Sequence, residues 1–428
     1  MAFVPTTGSD GAVDHTTGSV GGLRWFVFAL FFIFGGITSL NDIIIPKLRE
    51  IFTLTHASSM LVQSAFFIAY ALFSIPAAAI VRRFGYMRTA SIGLMTMTAG
   101  CLLFVPASEH AAFSLFLFAL FVLGAGITIV QVVANPLVSM LGAPGSAHSR
   151  LTFAQAFNSL GTTVFPLVGS AVILGNLARV DSTKLSGVAL DAYRRESSSV
   201  VVHTYLGLAL ALTIVAGVVW TQRHKLKHVG EVGGGLFSGL SLLKRPRFAF
   251  GTAAIFLYVG AEVALGSLIV NYLVQPSVLG VSDQVAGNHV PFYWGGALLG
   301  RFVGAYVLRQ ASPSTVLISV AVGAIFLLLA SGNTTGPIAA WTLLSVGLMN
   351  AVMFPTIFSL ASEGLGARAA EGSGVIATAI VGGAIIPLVT GKVADITNSL
   401  SIALILPGLC YCAIVAFGIY ARSCNTTN

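Results

Sequence analysis

A chain of 428 residues that is 56% hydrophobic and only 8% charged, with a mean hydropathy of +0.91, cannot cover a globular surface, since soluble domains carry roughly 25% charged residues. That excludes a soluble enzyme, a disordered regulator and a secreted disulfide scaffold, and leaves a polytopic membrane protein if the apolar residues come in runs of about 20. The net charge of +8 reads as an orientation signal and not as a nucleic-acid surface, because 14 of the 22 Lys and Arg fall in segments assigned to one side.

Residues 1–22 are polar, rich in Gly, Thr and Ser, and lack a basic leader region, so they read as a disordered cytoplasmic tail. Twelve apolar spans follow at about 23–45, 58–81, 89–107, 111–141, 150–177, 200–221, 248–274, 288–308, 314–331, 337–362, 372–394 and 400–421. An even number puts both termini on one side. The basic clusters Arg82-Arg83, Arg223 to Lys227 and Lys244-Arg245 assign that side to the cytoplasm. The charged segment 222–247 reads as a cytoplasmic linker between a first half at 23–221 and a second at 248–422, with 423–428 a cytoplasmic tail. The segment 178–199 reads as a polar, mobile external loop. The expected fold is therefore all-α and polytopic, with 12 transmembrane helices in two six-helix, pseudo-symmetric halves.

The halves repeat. Pro136 in the fourth span matches Pro355 in the tenth at an offset of 219, and Gly161 and Pro166 match Gly382 and Pro387 at an offset of 221. Two six-helix halves related in this way, with a binding site between them near the bilayer midplane, constitute the major-facilitator architecture.

Ionisable groups inside a bilayer are costly, so each one is a functional candidate. Asp42 lies late in the first span, after Asn41 and before Pro46, where a carboxylate suits a coupling cation or proton; the alternative is a solvated helix end paired with Lys47 or Arg49. Glu262 is about 14 residues into the seventh span, close to the midplane, and serves either substrate or a helix-bridging hydrogen bond. Arg301, about two turns from the cytoplasmic end of the eighth span, reads as a cytoplasmic gate or structural salt bridge with Glu363 or Glu371; the alternatives are a snorkelling side chain and a substrate contact. Neutral polar residues form a larger set: Gln63, Tyr70, Gln131, Asn135, Gln155, Asn158, Asn271, Tyr293, Trp294 and Asn350. Gln155 and Asn158 are three apart and share a helix face. Amides and aromatic rings together suit a neutral polyol, whose hydroxyls take the amides and whose C–H face takes a ring; the alternative is interhelical amide bonding.

Other chemistry is missing from the sequence. No phosphate-binding glycine loop, HExxH or CxxC appears. The eight histidines are scattered, mostly over tails and loops, and no metal site or cofactor is expected. The four cysteines read as small apolar residues.

The segments LNDIIIPKL, QVVANPLVSMLG, AQAFNSLGTTVFP, YVGAEVALGSLIVNYL, YWGGALLGRFVG and FPTIFSLASEGLG resemble the fucose–galactose–glucose permease family of the major facilitator superfamily. The resemblance runs over residues 23–422. It implies a monomer of the bacterial inner membrane that imports a small neutral sugar by symport with H⁺ or Na⁺ and alternating access. It carries the coupling role to Asp42, with Na⁺ near it as a possible ligand, and sugar contact to Asn41, Gln155 and Asn158. At the position of a second important carboxylate in fucose permease this chain has Gln131, as glucose/galactose-type members tend to. The substrate set expected is thus Asn41, Gln131, Gln155, Asn158, Glu262, Asn271 and Asn350, for a glucose-, galactose- or mannose-like hexose. An uncoupled facilitator, or a fucose or amino-sugar symporter, are the alternatives.

Overall fold

The computed structural model describes residues 25–39, 52, 56–110, 112–173, 187–223 and 235–426, and the regular structure among them is entirely helical. The first half supplies α1 (Trp25–Ser39), α2 (His56–Phe84), α3 (Tyr86–Leu102), α4 (Phe104–Glu109), α5 (Phe113–Met140), α6 (Ala147–Ile173) and α7 (Val188–Thr221). The second supplies α8 (Pro246–Val274), α9 (Asp283–Gly287), α10 (Val290–Val307), α11 (Pro313–Asn333), α12 (Gly336–Asn350), α13 (Met353–Ser362), α14 (Ala369–Thr378), α15 (Gly382–Thr397), α16 (Leu400–Ala403) and α17 (Ile405–Thr426). Among the described residues nine helical segments are long and apolar enough to cross a membrane, and α1 is a shorter apolar helix.

Several expected spans are broken, and proline explains three of the breaks. A proline has no N–H and clashes with the carbonyl four residues earlier. Pro106 follows the α3–α4 break at Leu103, Pro355 the α12–α13 break at Ala351–Val352, and Pro407 the α16–α17 break at Leu404. The eleventh span is also interrupted, by a 3₁₀ turn at Ala379–Val381 between α14 and α15. Two loops are more ordered than expected. The helix α7 starts at Val188, inside the segment read as a mobile loop, where Ala189, Leu190, Ala192, Arg194 and Glu196 are good helix formers. Part of the expected linker forms a 3₁₀ helix at Ser238–Lys244 with Leu242 and Gly239 buried, and it packs on α14.

Within each half, glycines set how closely helices cross. A Cβ on Gly161 of α6 would stand 2.1 Å from the Phe32 carbonyl oxygen of α1, and one on Gly382 of α15 would stand 2.0 Å from that of Phe256 in α8. The reverse contacts match as well: Gly36 faces Phe165, and Gly260 faces Ile386. The offset of 221 that relates Gly161 to Gly382 also relates Phe165 to Ile386. The repeat seen in the sequence is thus a repeated helix crossing.

The halves meet through α14 on α2 and α5, and through α10 and α13 on α6. These contacts gather toward the end of the bundle that carries Arg82, Arg247 and Arg368, called the basic end below.

The crossings give a direct test. Gly161→Ala and Gly382→Ala each force backbone apart and should destabilise the purified protein by about 1–3 kcal/mol, read as a lower thermal midpoint in detergent. Gly207→Ala, where a Cβ meets nothing within 4 Å, should leave the midpoint unchanged.

Candidate functional site

The helix α5 is buried along one continuous stretch, Leu123 to Val138. Gln131 and Asn135 lie four apart there, on one face. The Gln131 Oε1 and Asn135 Oδ1 atoms are buried without a hydrogen-bond partner, as are Thr152 Oγ1 and Gln155 Nε2 of α6 and Thr356 Oγ1 of α13. A buried polar atom left unpaired costs about 1–3 kcal/mol. The helix α6 packs on both α5 and α13, so these orphaned groups line neighbouring elements where the halves meet.

Further along α6, Asn158 leans on the first helix. Its Nδ2 donates to the Phe31 carbonyl oxygen at 3.4 Å, and a Cβ on Gly35 would stand 2.4 Å from that nitrogen. Only a glycine leaves room for the amide. Asn41 and Asp42, which follow α1 in sequence, lie outside the described residues.

The second half carries a cluster of three tyrosines. Tyr258 and Glu262 lie one turn apart on α8, and the Tyr258 hydroxyl is 2.7 Å from Glu262 Oε1. It is also 3.0 Å from the Asn350 carbonyl oxygen. Asn350 Nδ2 donates to the Tyr293 oxygen at 2.8 Å, and the Tyr411 hydroxyl donates to Asn350 Oδ1 at 2.7 Å. Asn350 is 0% exposed and each of its amide atoms meets a tyrosine, so it ties α12 to α10 and α17. Tyr258 and Tyr411 escaped the sequence reading because an isolated tyrosine in an apolar span carries no periodic signal. Asn271 is exposed, three residues from the end of α8.

Proline also creates the bonds between halves. Pro136 cannot donate to the Val132 carbonyl, and that oxygen accepts instead from Ser373 Oγ of α14 at 2.9 Å. The offset of 219 carries Pro136 to Pro355 and Val132 to Ala351. The Ala351 carbonyl accepts from Arg301 Nε at 3.3 Å. By the 221 offset the counterpart of Ser373 is Thr152, whose hydroxyl is buried and unpaired. Arg301 therefore occupies the carbonyl that strict symmetry would give to Thr152. Arg301 Nη1 also donates to the Gln155 carbonyl oxygen at 3.2 Å and to Ser159 Oγ, which ties α10 to α6. Its expected partner Glu363 is engaged elsewhere, with Arg247 and with His148 Nε2 at 3.0 Å. Arg301 thus bridges the halves by hydrogen bonds to oxygen atoms that carry no formal charge.

Two further latches close the basic end. Glu371 is 2% exposed and takes Arg82 of α2, Ser238 Oγ at 2.7 Å and Arg368 Nε at 2.7 Å. His148 joins α6 to Glu363, and Ser149 Oγ donates to the Ala305 carbonyl oxygen at 2.6 Å. His148, read as one of several scattered histidines, thus belongs to a latch. Ser238 sits in the segment read as a linker, and nothing in its sequence context signals a role. Among the described residues no His, Cys, Asp and Glu cluster could hold a metal ion, and Cys101, Cys410 and Cys412 are free thiols.

Residues 26–387 match the Major Facilitator Superfamily. The chain belongs to that superfamily. Within it, the chain is 44% identical to a glucose/galactose transporter of Brucella abortus (strain 9-941) over 390 residues, covering 91% of this chain and 92% of the relative. It is 32% identical to an L-fucose-proton symporter of Escherichia coli (strain K12) over 408 residues, covering 94% and 93%. In three dimensions it is similar to the superfamily transporter FucP in the outward conformation, with a TM-score of 0.85 at 30% identity over 94% of this chain and 99% of that one. As a member of this superfamily close to these relatives, the chain is a membrane transporter and not an enzyme.

If the buried pair joins the halves energetically, a double-mutant cycle on Arg82→Ala and Glu371→Ala should give an interaction of about 0.5–3 kcal/mol, measured from thermal unfolding in detergent. A value of zero would show that the two side chains meet without binding.

Proposed function

We propose that the protein imports a neutral hexose of the glucose, galactose or mannose type by cation-coupled symport and alternating access. The observation that carries this reading is the set of buried amide atoms on Gln131, Asn135 and Gln155 that have no partner within the protein. Amides give and take hydrogen bonds, as a polyol's hydroxyls require, and an apolar cargo would leave them unmatched. The names of the relatives support a sugar, since two of them are described as glucose/galactose and L-fucose-proton transporters. Gln131 in place of the fucose-type carboxylate favours the glucose/galactose side.

In this reading twelve helices span the bacterial inner membrane in a monomer with both termini in the cytoplasm. The basic end is the cytoplasmic end, as the distribution of Lys and Arg requires. The latches of Glu371, Glu363 and Arg301 then close the cytoplasmic path, which corresponds to an outward-facing stage. Gln131, Gln155 and Asn158 hold the sugar, with Asn41 and Asn271 towards the external side. Asp42 binds the coupling ion, H⁺ or Na⁺. Loading neutralises a buried charge and lowers the cost of reorienting the carrier, and ligands shift the two facing states only by their differential affinity.

Counterflow in proteoliposomes with a panel of labelled sugars tests the substrate, and net uptake driven by an imposed Na⁺ or H⁺ gradient tests the ion. Accumulation against a gradient is expected; equilibration without concentration would identify a facilitator, and preference for fucose or an amino sugar would overturn the hexose assignment. Asn158→Ala should raise the half-saturation concentration about tenfold, the equivalent of one lost hydrogen bond of about 1.4 kcal/mol. Asp42→Asn should abolish accumulation.

A further inference from the structure

The tyrosine cluster fixes the position of a proton by simple counting. Tyr258 has one hydroxyl hydrogen, yet its oxygen is 2.7 Å from Glu262 Oε1 and 3.0 Å from the Asn350 carbonyl oxygen. The carbonyl can only accept, and an ionised carboxylate can only accept. One hydrogen cannot serve both. The two contacts are both hydrogen bonds only when Glu262 supplies the second hydrogen, its carboxyl donating to the Tyr258 oxygen while Tyr258 donates to Asn350. The neighbouring hydroxyl hydrogens are committed elsewhere, and Asn350 Nδ2, which has two hydrogens, bonds neither Tyr258 nor Glu262. The hydrogen of Tyr411 goes to Asn350 Oδ1, that of Tyr293 to the Glu262 carbonyl oxygen at 3.3 Å, and Asn350 Nδ2 already donates to Tyr293.

We propose that Glu262 is a proton-carrying site of the transport cycle, and that its proton is read by the helix break at Asn350–Met353 and, through that break, by the Arg301 latch between the halves. The inference rests on the symport reading above. When Glu262 releases its proton, the hydrogen of Tyr258 follows the charge, since a bond to a carboxylate is roughly twice as strong as a neutral one. The Asn350 carbonyl then loses its donor. The next carbonyl in the broken segment, Ala351, is held by Arg301. Arg301 lies within electrostatic reach of Glu262 and also holds Ser159 and the Gln155 carbonyl of the first half. A negative charge on Glu262 therefore pulls on the one cation that joins α10, the helix break and α6.

The other titratable groups facing Glu262 do not compete for this role. Tyr258 shares its helix, Tyr293 comes from α10, and Tyr411 and the neighbouring Cys410 from α17. The helix α15 runs parallel to α8, with Gly382 against Phe256 and Ile386 against Gly260, so its Lys392 and Asp395 lie about one and about two turns beyond the level of Glu262. Glu371 and Glu363 are held in the latches at the basic end, whereas Glu262 is the carboxyl beside Arg301 and the helix break.

The slope of sugar accumulation against an imposed pH gradient measures the proton. Each pH unit is worth about tenfold in accumulation per proton carried, the equivalent of about 1.4 kcal/mol. The slope for Glu262→Gln should fall by about one proton relative to the unsubstituted protein. An unchanged slope would overturn the inference. In parallel, infrared difference spectra on adding sugar to purified protein, with no gradient, should show a carboxylic-acid carbonyl band that disappears in Glu262→Gln and shifts in Tyr258→Phe. A band that survives Glu262→Gln overturns the inference even where transport is lost, because the proton then sits elsewhere. If the unsubstituted protein shows no slope, the H⁺ form of the symport reading fails, and the infrared comparison still decides whether Glu262 binds the proton.

Discussion

Hydrocarbon offers no hydrogen bonds, so a membrane protein must satisfy its backbone from within. Proline makes that requirement acute, because it removes the donor that the carbonyl four residues earlier relies on. In this chain two such carbonyls, Val132 and Ala351, lie at repeat-related positions where the halves meet. Their replacement donors are Ser373, from the opposite half, and Arg301, which reaches the opposite half with its remaining nitrogens. The prolines thereby convert an obligation within one helix into a bond between helices. The association of the halves at the basic end follows from that substitution as much as from the ion pairs around it.

The two sites are related but unequal. Ser373 is neutral and satisfies one acceptor. Arg301 is a cation that satisfies a carbonyl at the helix break and two oxygens of α6, while the repeat counterpart of Ser373, Thr152, is left without a partner. A symmetric carrier made only of hydroxyl latches would have no electrical handle on its conformation. Placing one arginine in the second half creates a bond between the halves that a nearby carboxyl can weaken or strengthen with its charge. The break at Ala351–Val352 adds to this: in an intact helix the Asn350 carbonyl would be committed to a backbone donor and unavailable to Tyr258, while Pro355 by itself frees the Ala351 carbonyl for Arg301.

Features with a period or a composition were legible in the sequence. Apolar runs located the helices, the paired Pro136 and Pro355 and the paired Gly161 and Gly382 exposed the repeat, and Gln131, Asn135 and Gln155 stood out as polar residues in apolar surroundings. What escaped depends on tertiary contact. Asn350 reads like Gln155 in sequence, and only the hydroxyls of Tyr293 and Tyr411 distinguish a strut from a free amide. Glu363 and Arg301 seemed natural partners by charge, yet His148 and Arg247 hold Glu363 and leave Arg301 to neutral oxygens. Ser238 sits in a segment whose composition signals only a loop. The helix breaks were half legible: each proline was visible, but Pro106, Pro355 and Pro407 interrupt their helices while Pro76 and Pro136 do not, a difference set by packing.

The polar character of the latches follows from what they must do. A seam between halves that opens in every cycle exposes whatever it buried. An apolar seam would cost about 25 cal/mol for every Å² uncovered to water, and that cost would be borne in one direction of the cycle only. Ion pairs and hydrogen bonds behave differently, because water replaces each lost partner and leaves a net contribution of about 0.5–1.5 kcal/mol per bond. The Glu363 carboxyl that meets His148 across the seam is partly exposed, and exposed pairs contribute about 0–1 kcal/mol. Glu371 is the exception, since its carboxyl is nearly shielded and meets two arginines and a serine. Breaking one partner while the carboxyl stays buried is costly; Arg368 and Ser238 sit on the same side of the seam as Glu371, so Arg82 parts from it at least cost when water reaches the carboxyl. In the proposed symport cycle, a latch that holds until it hydrates and then offers little resistance separates the two facing states, as coupling one solute to another without leak requires.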